Sequence, residues 1–374
     1  MRHRFAAGLP AMALLLLGTP GPGSAQAQKA APKAYSPRRL ADGHPDLQGV
    51  YDLATMTPLE RPAGAPAAYS KEQAQKIEGV LAKQRAKADE ALSGDRAAPP
   101  KGGVGVTGQL PVFWELAGGK VGGYNAGWLD PGATLTVVDG QYRSSIVIDP
   151  PNGRVPPIKP EAAQRAAATR ARPTSDQTEN AADSDLDRTP GAYDDPERRP
   201  LGERCLLGFG STSGPPALPD YFYNNLHQIV QTKDAVMILT EMVHDARIVR
   251  MNAQHLPKGI RLWMGDSVGR WEGDTLVVDT TNFNDKTRFR GSGENLHIVE
   301  RFTRVDDRTI LYRFTVEDPD TWAQPWTGEM AWPATDGKIY EYACHEGNYA
   351  MTDILKGARA REREQAAART ASKQ

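Results

Sequence analysis

Three titratable side chains stand where strand alternation surrounds them with apolar neighbours. Asp279 shares a two-residue repeat with Thr275, Val277, Thr281 and Phe283; Glu300 shares one with Leu296, Ile298 and Phe302; His244 shares one with Ile238, Thr240, Met242 and Ala246. Residues two apart on a strand lie on one face. A carboxylate on a core face costs several kcal/mol or gives up its charge unless something compensates it. Pairing with arginine or capping a strand end is the commoner compensation. The alternative is a cavity in which Asp279, Glu300 and His244 supply acid, base and orientation.

Around these three, Tyr223, Asn224, Arg247, Asn282, Tyr312, Trp326 and His345 are candidate binding residues. Tyr221-Phe222-Tyr223-Asn224-Asn225 forms a polar-aromatic run whose amides suit hydroxyl groups. Trp322, Trp326, Trp332, Tyr312, Tyr340, Tyr342 and Tyr349 cluster near the C-terminal end. Such rings either fill a core or stack on a sugar or a flat apolar ligand.

Other chemistries have less support. His244-Asp245, His297 with Glu300, and His345-Glu346 are fragments of metal-ligand patterns, but His-Glu-x-x-His is absent. Neighbouring strand residues point to opposite faces, so packed or surface histidines are the expectation and no metal is assigned. Met264-Gly-Asp-Ser-Val-Gly269 is not a Gly-x-Ser-x-Gly elbow. Neither a Gly-x-Gly-x-x-Gly turn after a strand nor a phosphate-binding loop occurs, so no cofactor is expected.

The elements that would position these residues are mainly short strands. Expected strands are Gln228 to Leu239, Met242 to Met251, Thr275 to Phe283, Leu296 to Val305, Thr309 to Asp318, Trp326 to Trp332 and Lys338 to Cys344. Turn chemistry separates them at Glu272-Gly-Asp274, Gly291-Ser-Gly293, Asp306-Asp307, Asp318-Pro-Asp320 and Asp336-Gly337. A further hairpin, Ala133 to Val138 and Ser144 to Ile148, turns at Asp139-Gly140. Short connections favour antiparallel neighbours. The fold class is therefore mainly β: one antiparallel meander barrel or strongly curved sheet with peripheral helices, a flattened sandwich being the alternative. Residues 45–355 form this single domain. A helix is expected over 70–92, where Ser70 and Gln73 have capping-box spacing. Residues 158–200 read as a helical then acidic excursion, 28–44 as a mobile lead-in, and 356–374 as a charged tail.

The first 27 residues have the layout of an export signal. Arg2, His3 and Arg4 precede an apolar run from Leu9 to Leu17, and Ala25-Gln-Ala27 offers a small-x-small cleavage site. That run is short of the ~20 residues that cross a bilayer, so stable membrane insertion is not expected. With 45 basic and 46 acidic side chains there is no field to attract nucleic acid. Oligomeric state is not encoded in any pattern. Cys205 and Cys344 are the only cysteines, and an oxidising compartment favours their pairing over two free thiols.

Several long phrases, Glu241-Met-Val-His-Asp-Ala-Arg247, Gly269-Arg-Trp-Glu-Gly-Asp-Thr-Leu276 and Cys344-His-Glu-Gly-Asn348, resemble a widespread family of exported bacterial proteins of unestablished activity. The resemblance spans most of residues 45–359 and implies a shared fold and export, with no reaction. Gly-x-Trp-x-Gly-Asp-x-Leu is also similar to the first turns of lipocalin-like barrels.

The functional expectation is a periplasmic or secreted enzyme using acid-base chemistry, as hydrolase, lyase or isomerase, on a small organic or glycosidic substrate in a β-barrel cavity. The alternative is a noncatalytic binding protein for an apolar or sugar ligand; a structural envelope component ranks third. Intact mass of protein recovered from the periplasm should match a chain beginning at Gln28; a mass retaining Met1 to Ala27 would remove the export reading.

Overall fold

The computed structural model describes residues 35–88, 130, 132–170, 191, 193–199, 201–208, 214–219, 223–287 and 289–372. The chain divides into a unit of residues 1–36 and a unit of residues 37–374. Apart from Tyr35 and Ser36, the first lies outside the described residues, with the expected signal, and so do Tyr221 and Phe222. Everything below belongs to the second unit.

Ten strands form one curled sheet, a half-barrel. In chain order the strands are β1 (Gly49–Asp52), β2 (Ala68–Tyr69), β3 (Val137–Val138), β4 (Gln141–Arg143), β5 (Val147–Asp149), β6 (Leu226–Gln231), β7 (Ala235–Thr240), β8 (Ala246–Met251), β9 (Asp266–Glu272), β10 (Thr275–Thr281), β11 (His297–Arg304), β12 (Thr309–Glu317) and β13 (Trp326–Pro333). The large sheet runs β1-β6-β7-β8-β9-β10-β11-β12-β13-β5, while β2, β4 and β3 make a small separate sheet. Every neighbouring pair is antiparallel except β8 and β9, which join in parallel through Arg250 opposite Val268 and Met251 opposite Gly269. The curl brings β1 against the far end of β13: Tyr51 bridges Ala334, and the Thr335 N–H donates to the Val50 carbonyl at 2.9 Å.

Register explains which side chains point inward. Leu276 faces Phe302, Val278 faces Glu300 and Thr280 faces Ile298 across β10 and β11; Glu300 faces Phe314 and Phe302 faces Tyr312 across β11 and β12. These residues are buried, with Ile229, Val236, Ile238, Val249, Trp326, Met330 and Trp332. Aromatic rings fill the concave side: Trp332 lies 4.7 Å from Tyr312 and 5.3 Å from Phe302, and Trp326 lies 5.8 Å from Phe314, centroid to centroid. Gly328 has to be glycine for this packing, since a Cβ there would lie 2.2 Å from Phe314 Cζ.

Several element boundaries differ from expectation. The single strand expected over Gln228 to Leu239 is the hairpin β6–β7, turned at Thr232, whose N–H and hydroxyl both bond the Ala235 carbonyl, at 2.8 and 3.1 Å. Residues Met242–His244 form a 3₁₀ turn and not the start of a strand, with Val243 and His244 at φ of 59° and 48°. Lys338 to Cys344 forms no strand. β9 was not expected at all. The Asp139-Gly140 turn is present with both residues at positive φ, the geometry a two-residue hairpin requires, but it joins β3 to β4 (Gln141–Arg143), whereas the expected partner Ser144 to Ile148 contributes to β5, which pairs with β13.

The helices are peripheral: α1 (Lys71–Ala88), α2 (Pro160–Arg170) and α3 (Ala350–Ala371). The capping box of α1 is formed, Gln73 N–H donating to Ser70 Oγ at 3.2 Å while Gln73 Oε1 accepts from Ser70 N–H at 2.9 Å. Helix α3 buries no residue and carries most of the charged tail. Within the expected lead-in, Arg39 bridges Pro45 and bonds Asp274, and His44 stacks on Trp271 at 4.7 Å. Cys205 and Cys344 are disulfide-bonded, which ties the segment after β13 to residues 201–208.

The most demanding polar contact of this interior is the buried pair Arg247 and Glu300, 5 % and 0 % exposed. Replacing one member strands the other. Glu300→Gln should therefore cost about 3–5 kcal/mol in denaturant melts, and the double change Arg247→Met with Glu300→Leu should cost clearly less. A loss below about 1 kcal/mol for the single variant would show that the pair is not held as described.

Candidate functional site

The expected triad does not assemble. Glu300 lies inside the half-barrel, where Arg247 grips it with two guanidinium nitrogens, the Nη2 contact at 2.9 Å, and the Tyr312 hydroxyl donates to Oε1 at 2.8 Å. Tyr312 in turn accepts the Ala217 N–H at 2.9 Å. Burial pushes the Tyr312 phenol well above its ordinary range, so it stays a donor. Burial alone would lower Arg247, but the charge and hydrogen bonds of Glu300 outweigh it and raise its pKa. Two of the candidate binding residues, Arg247 and Tyr312, are thus structural partners of Glu300, and Trp326 packs in the same core at 0 % exposure.

Asp279 sits on the opposite side of the sheet. It pairs with Val299, one register step from the Val278–Glu300 pair, and successive residues alternate faces. The shared cavity expected for Asp279 and Glu300 is excluded by that single step. His244 is exposed in its 3₁₀ turn, and among the described residues no hydrogen bond or ion pair joins it to either carboxylate. His345 lies exposed beyond Cys344, Tyr223 and Asn224 are half-buried ahead of β6, and Asn282 is buried with its Nδ2 donating to the Leu256 carbonyl at 2.8 Å.

What Asp279 does contact is a row of groups on the convex face. His297 Nε2 lies 3.0 Å and His255 Nε2 3.1 Å from the same Asp279 Oδ1. Behind each imidazole stands a second carboxylate: His255 Nδ1 is 3.1 Å from Asp266 Oδ2, and His297 Nδ1 is 3.6 Å from Glu317 Oε2. The strands supply this alignment. Asp266 pairs with Thr281 across β9 and β10, Asp279 precedes Thr281 on the same face, and His297 pairs with Glu317 across β11 and β12. His255 comes from the segment between β8 and β9, held by the Leu256 N–H to Asp266 at 2.7 Å and by Asn282.

The electrostatics follow from these contacts. The His297 hydrogen bond holds the Asp279 carboxyl below its ordinary range, against burial, and His255 adds to the effect. The same bond raises His297 above 6.5. Burial would raise Asp266, but the Leu256 N–H, Arg250 and His255 together lower it. Asp266 is nearly buried, whereas His255, Asp279 and His297 are 29 %, 27 % and 37 % exposed. The two imidazoles are therefore partly open to solvent. Among the described residues no group of three or more His, Cys, Asp and Glu side chains is arranged to hold a metal ion, and no helix is long and apolar enough to cross a membrane.

Comparison with protein-family models, with curated proteins and with solved structures finds no match for this chain. The reading of the site therefore rests on its geometry. His255, Asp266 and Glu317 were not singled out from the sequence as site residues, and His297 was noted as part of a metal fragment. Its outward direction follows by alternation from the inward one of Glu300 on the same strand; the missing piece was the outward direction of Asp279.

A contact that raises a histidine and lowers an aspartate contributes in a bounded window. Its stabilisation develops above the Asp279 titration and is lost as pH rises through the raised His297 value. Asp279→Asn should therefore lower stability most at about pH 6 and have a smaller effect at about pH 9. A pH-independent difference between wild type and variant in denaturant melts would contradict the contact.

Proposed function

We propose that the protein is an exported acid-base enzyme whose site is the convex-face row Asp266, His255, Asp279 and His297, acting on a small organic substrate. One observation carries this reading: two solvent-accessible imidazoles converge on one carboxylate oxygen, and a further carboxylate stands behind each. A carboxylate that orients an imidazole and stabilises its protonated form is the arrangement that general-base catalysis uses. Export is supported by the leader-like first 27 residues and by the disulfide in a chain with no other cysteine.

In its simplest hydrolytic form, neutral His297 takes a proton from water as the water oxygen bonds to a carbonyl carbon. The bond from that carbon to the leaving oxygen then breaks, and the imidazolium returns the proton to it. Asp279 keeps the ring oriented and offsets the positive charge. Because Asp279 raises His297, the base is available only as pH rises past the ordinary histidine value.

A second reading has an observation in its favour. Among the described residues, the indole N–H groups of Trp322, Trp326 and Trp332 and the Nε2 of His227 are buried without a hydrogen-bond partner, and burial holds His227 neutral, with a pKa of about 4. A ligand with oxygen acceptors would suit the indoles. Dense aromatic packing around them argues for the convex row instead.

p-Nitrophenyl acetate serves as a substrate-independent probe of a reactive imidazole. Wild-type protein should release nitrophenolate catalytically, rising with pH, and His297→Gln should lose at least about tenfold in kcat/KM. Asp279→Asn should lower the pH midpoint of whatever activity remains. Equal rates for wild type and His297→Gln would leave ligand binding as the better reading.

A further inference from the structure

At the centre of the row lies a hydroxyl that no hydrogen bond among the described residues uses. Thr281 follows Asp279 by two residues on the same face of β10 and pairs with Asp266 of β9 on one side. On the other side, one register step beyond the Thr280–Ile298 pair, stands His297. Directly opposed residues on adjacent strands have Cβ atoms about 4.5–5.5 Å apart. His255 spans Asp266 and Asp279, the two carboxylates nearest Thr281. Thr281 is thus framed by both imidazoles and both inner carboxylates.

Other threonines of this face commit their hydroxyls across strands. Thr275 bonds Thr303 at 2.7 Å, and Thr315 bonds Thr327 at 3.0 Å. On the concave face Thr280 bonds Ser267 at 2.8 Å. Among the described residues, no hydrogen bond engages the Thr281 hydroxyl, and the side chain is half-buried, open to solvent. A hydroxyl is both donor and acceptor and turns to suit its partner. Beside it, Val268 and Val299 flank Asp279 in register and give the row an apolar floor.

We propose that Thr281 is the substrate-positioning hydroxyl of this row, donating a hydrogen bond to an oxygen of a small ester or related carbonyl substrate whose apolar part lies over Val268 and Val299. The inference rests on the acid-base reading of the row. His297 supplies the base and Asp279 its orientation, while Thr281 fixes where the carbonyl sits relative to the attacking water. It makes no covalent bond to the substrate and gives up no proton.

The test uses the full chain and p-nitrophenyl acetate. Thr281→Val preserves the branched shape that suits a strand and removes only the hydroxyl, so the thermal midpoint should stay close to wild type. Its kcat/KM should fall about tenfold, the loss of one hydrogen bond made to the reacting group, with the pH midpoint of the reaction unchanged because His297 and Asp279 are untouched. Thr281→Ser should recover to within about threefold of wild type, since it restores the hydroxyl. A merely structural role predicts the opposite order, because serine is the poorer strand residue. If wild type shows His297-dependent turnover and Thr281→Val matches it within about twofold, the positioning role is overturned while the row stands. If wild type shows no such turnover, the row and Thr281 fall together.

Discussion

A guanidinium and a carboxylate share the inside of a sheet that otherwise buries aromatic rings, and the arrangement of the half-barrel depends on keeping them together. Arg247 comes from β8 and Glu300 from β11, with β9 and β10 between them in the sheet. They meet only because the sheet curls. The Tyr312 hydroxyl extends the contact to a third strand and the Ala217 N–H to the segment before β6. An ion pair with almost no solvent access adds little net stability compared with a well-packed apolar substitute, but losing either partner is expensive. Such a pair penalises any register in which one member faces inward without the other. A slip of one residue in β8 or β11 would move one charge to the convex face and leave the other buried alone.

That dependence reaches the convex face through strict alternation. Once Glu300 is inward, His297, Val299 and Arg301 on β11 are outward, and the antiparallel pairing puts Asp279 outward opposite Val299. The row of imidazoles and carboxylates is in this sense the reverse side of the buried pair. Its remaining member, His255, depends on the parallel junction of β8 and β9, whose connecting segment crosses back over the convex side and is pinned by Asp266 and Asn282.

The sequence made the sheet legible because hydrophobic alternation and turn chemistry act locally. Strands β10 to β13 lie where Thr, Val, Ile and aromatic residues alternate between Asp and Gly turns, and the capping box of α1 is set by two residues three apart. Glu300 was correctly read as inward on β11, since Leu296, Ile298 and Phe302 leave no other face for it. Asp279 was misread for a physical reason: β10 carries Leu276, Val277 and Val278 consecutively, all buried, so both faces look apolar and alternation alone cannot choose between them. His244 was misplaced because the two left-handed residues Val243 and His244 reset the alternation before β8. Neither has the glycine or asparagine that would advertise such a turn. Partners such as His255 and Asp266 depend on a crossing of non-adjacent segments, for which a single sequence holds no local signal.

The two faces of the sheet differ in what a carboxylate can do there. Inside, Glu300 is fully enclosed and has both oxygens engaged by Arg247 and Tyr312, so a proton or substrate would have to displace a charged partner to reach it. Outside, the hydrogen-bond partners of Asp279 among the described residues are the imidazoles of His255 and His297, and it is partly open to solvent. The buried pair is closed off by its own hydrogen bonds, while on the convex face the contact between Asp279 and His297 lowers the one and raises the other. Reactivity needs the second condition, and a stable register needs the first. In this chain two neighbouring steps of one strand pairing, Val278 with Glu300 and Asp279 with Val299, separate them by the thickness of a single sheet.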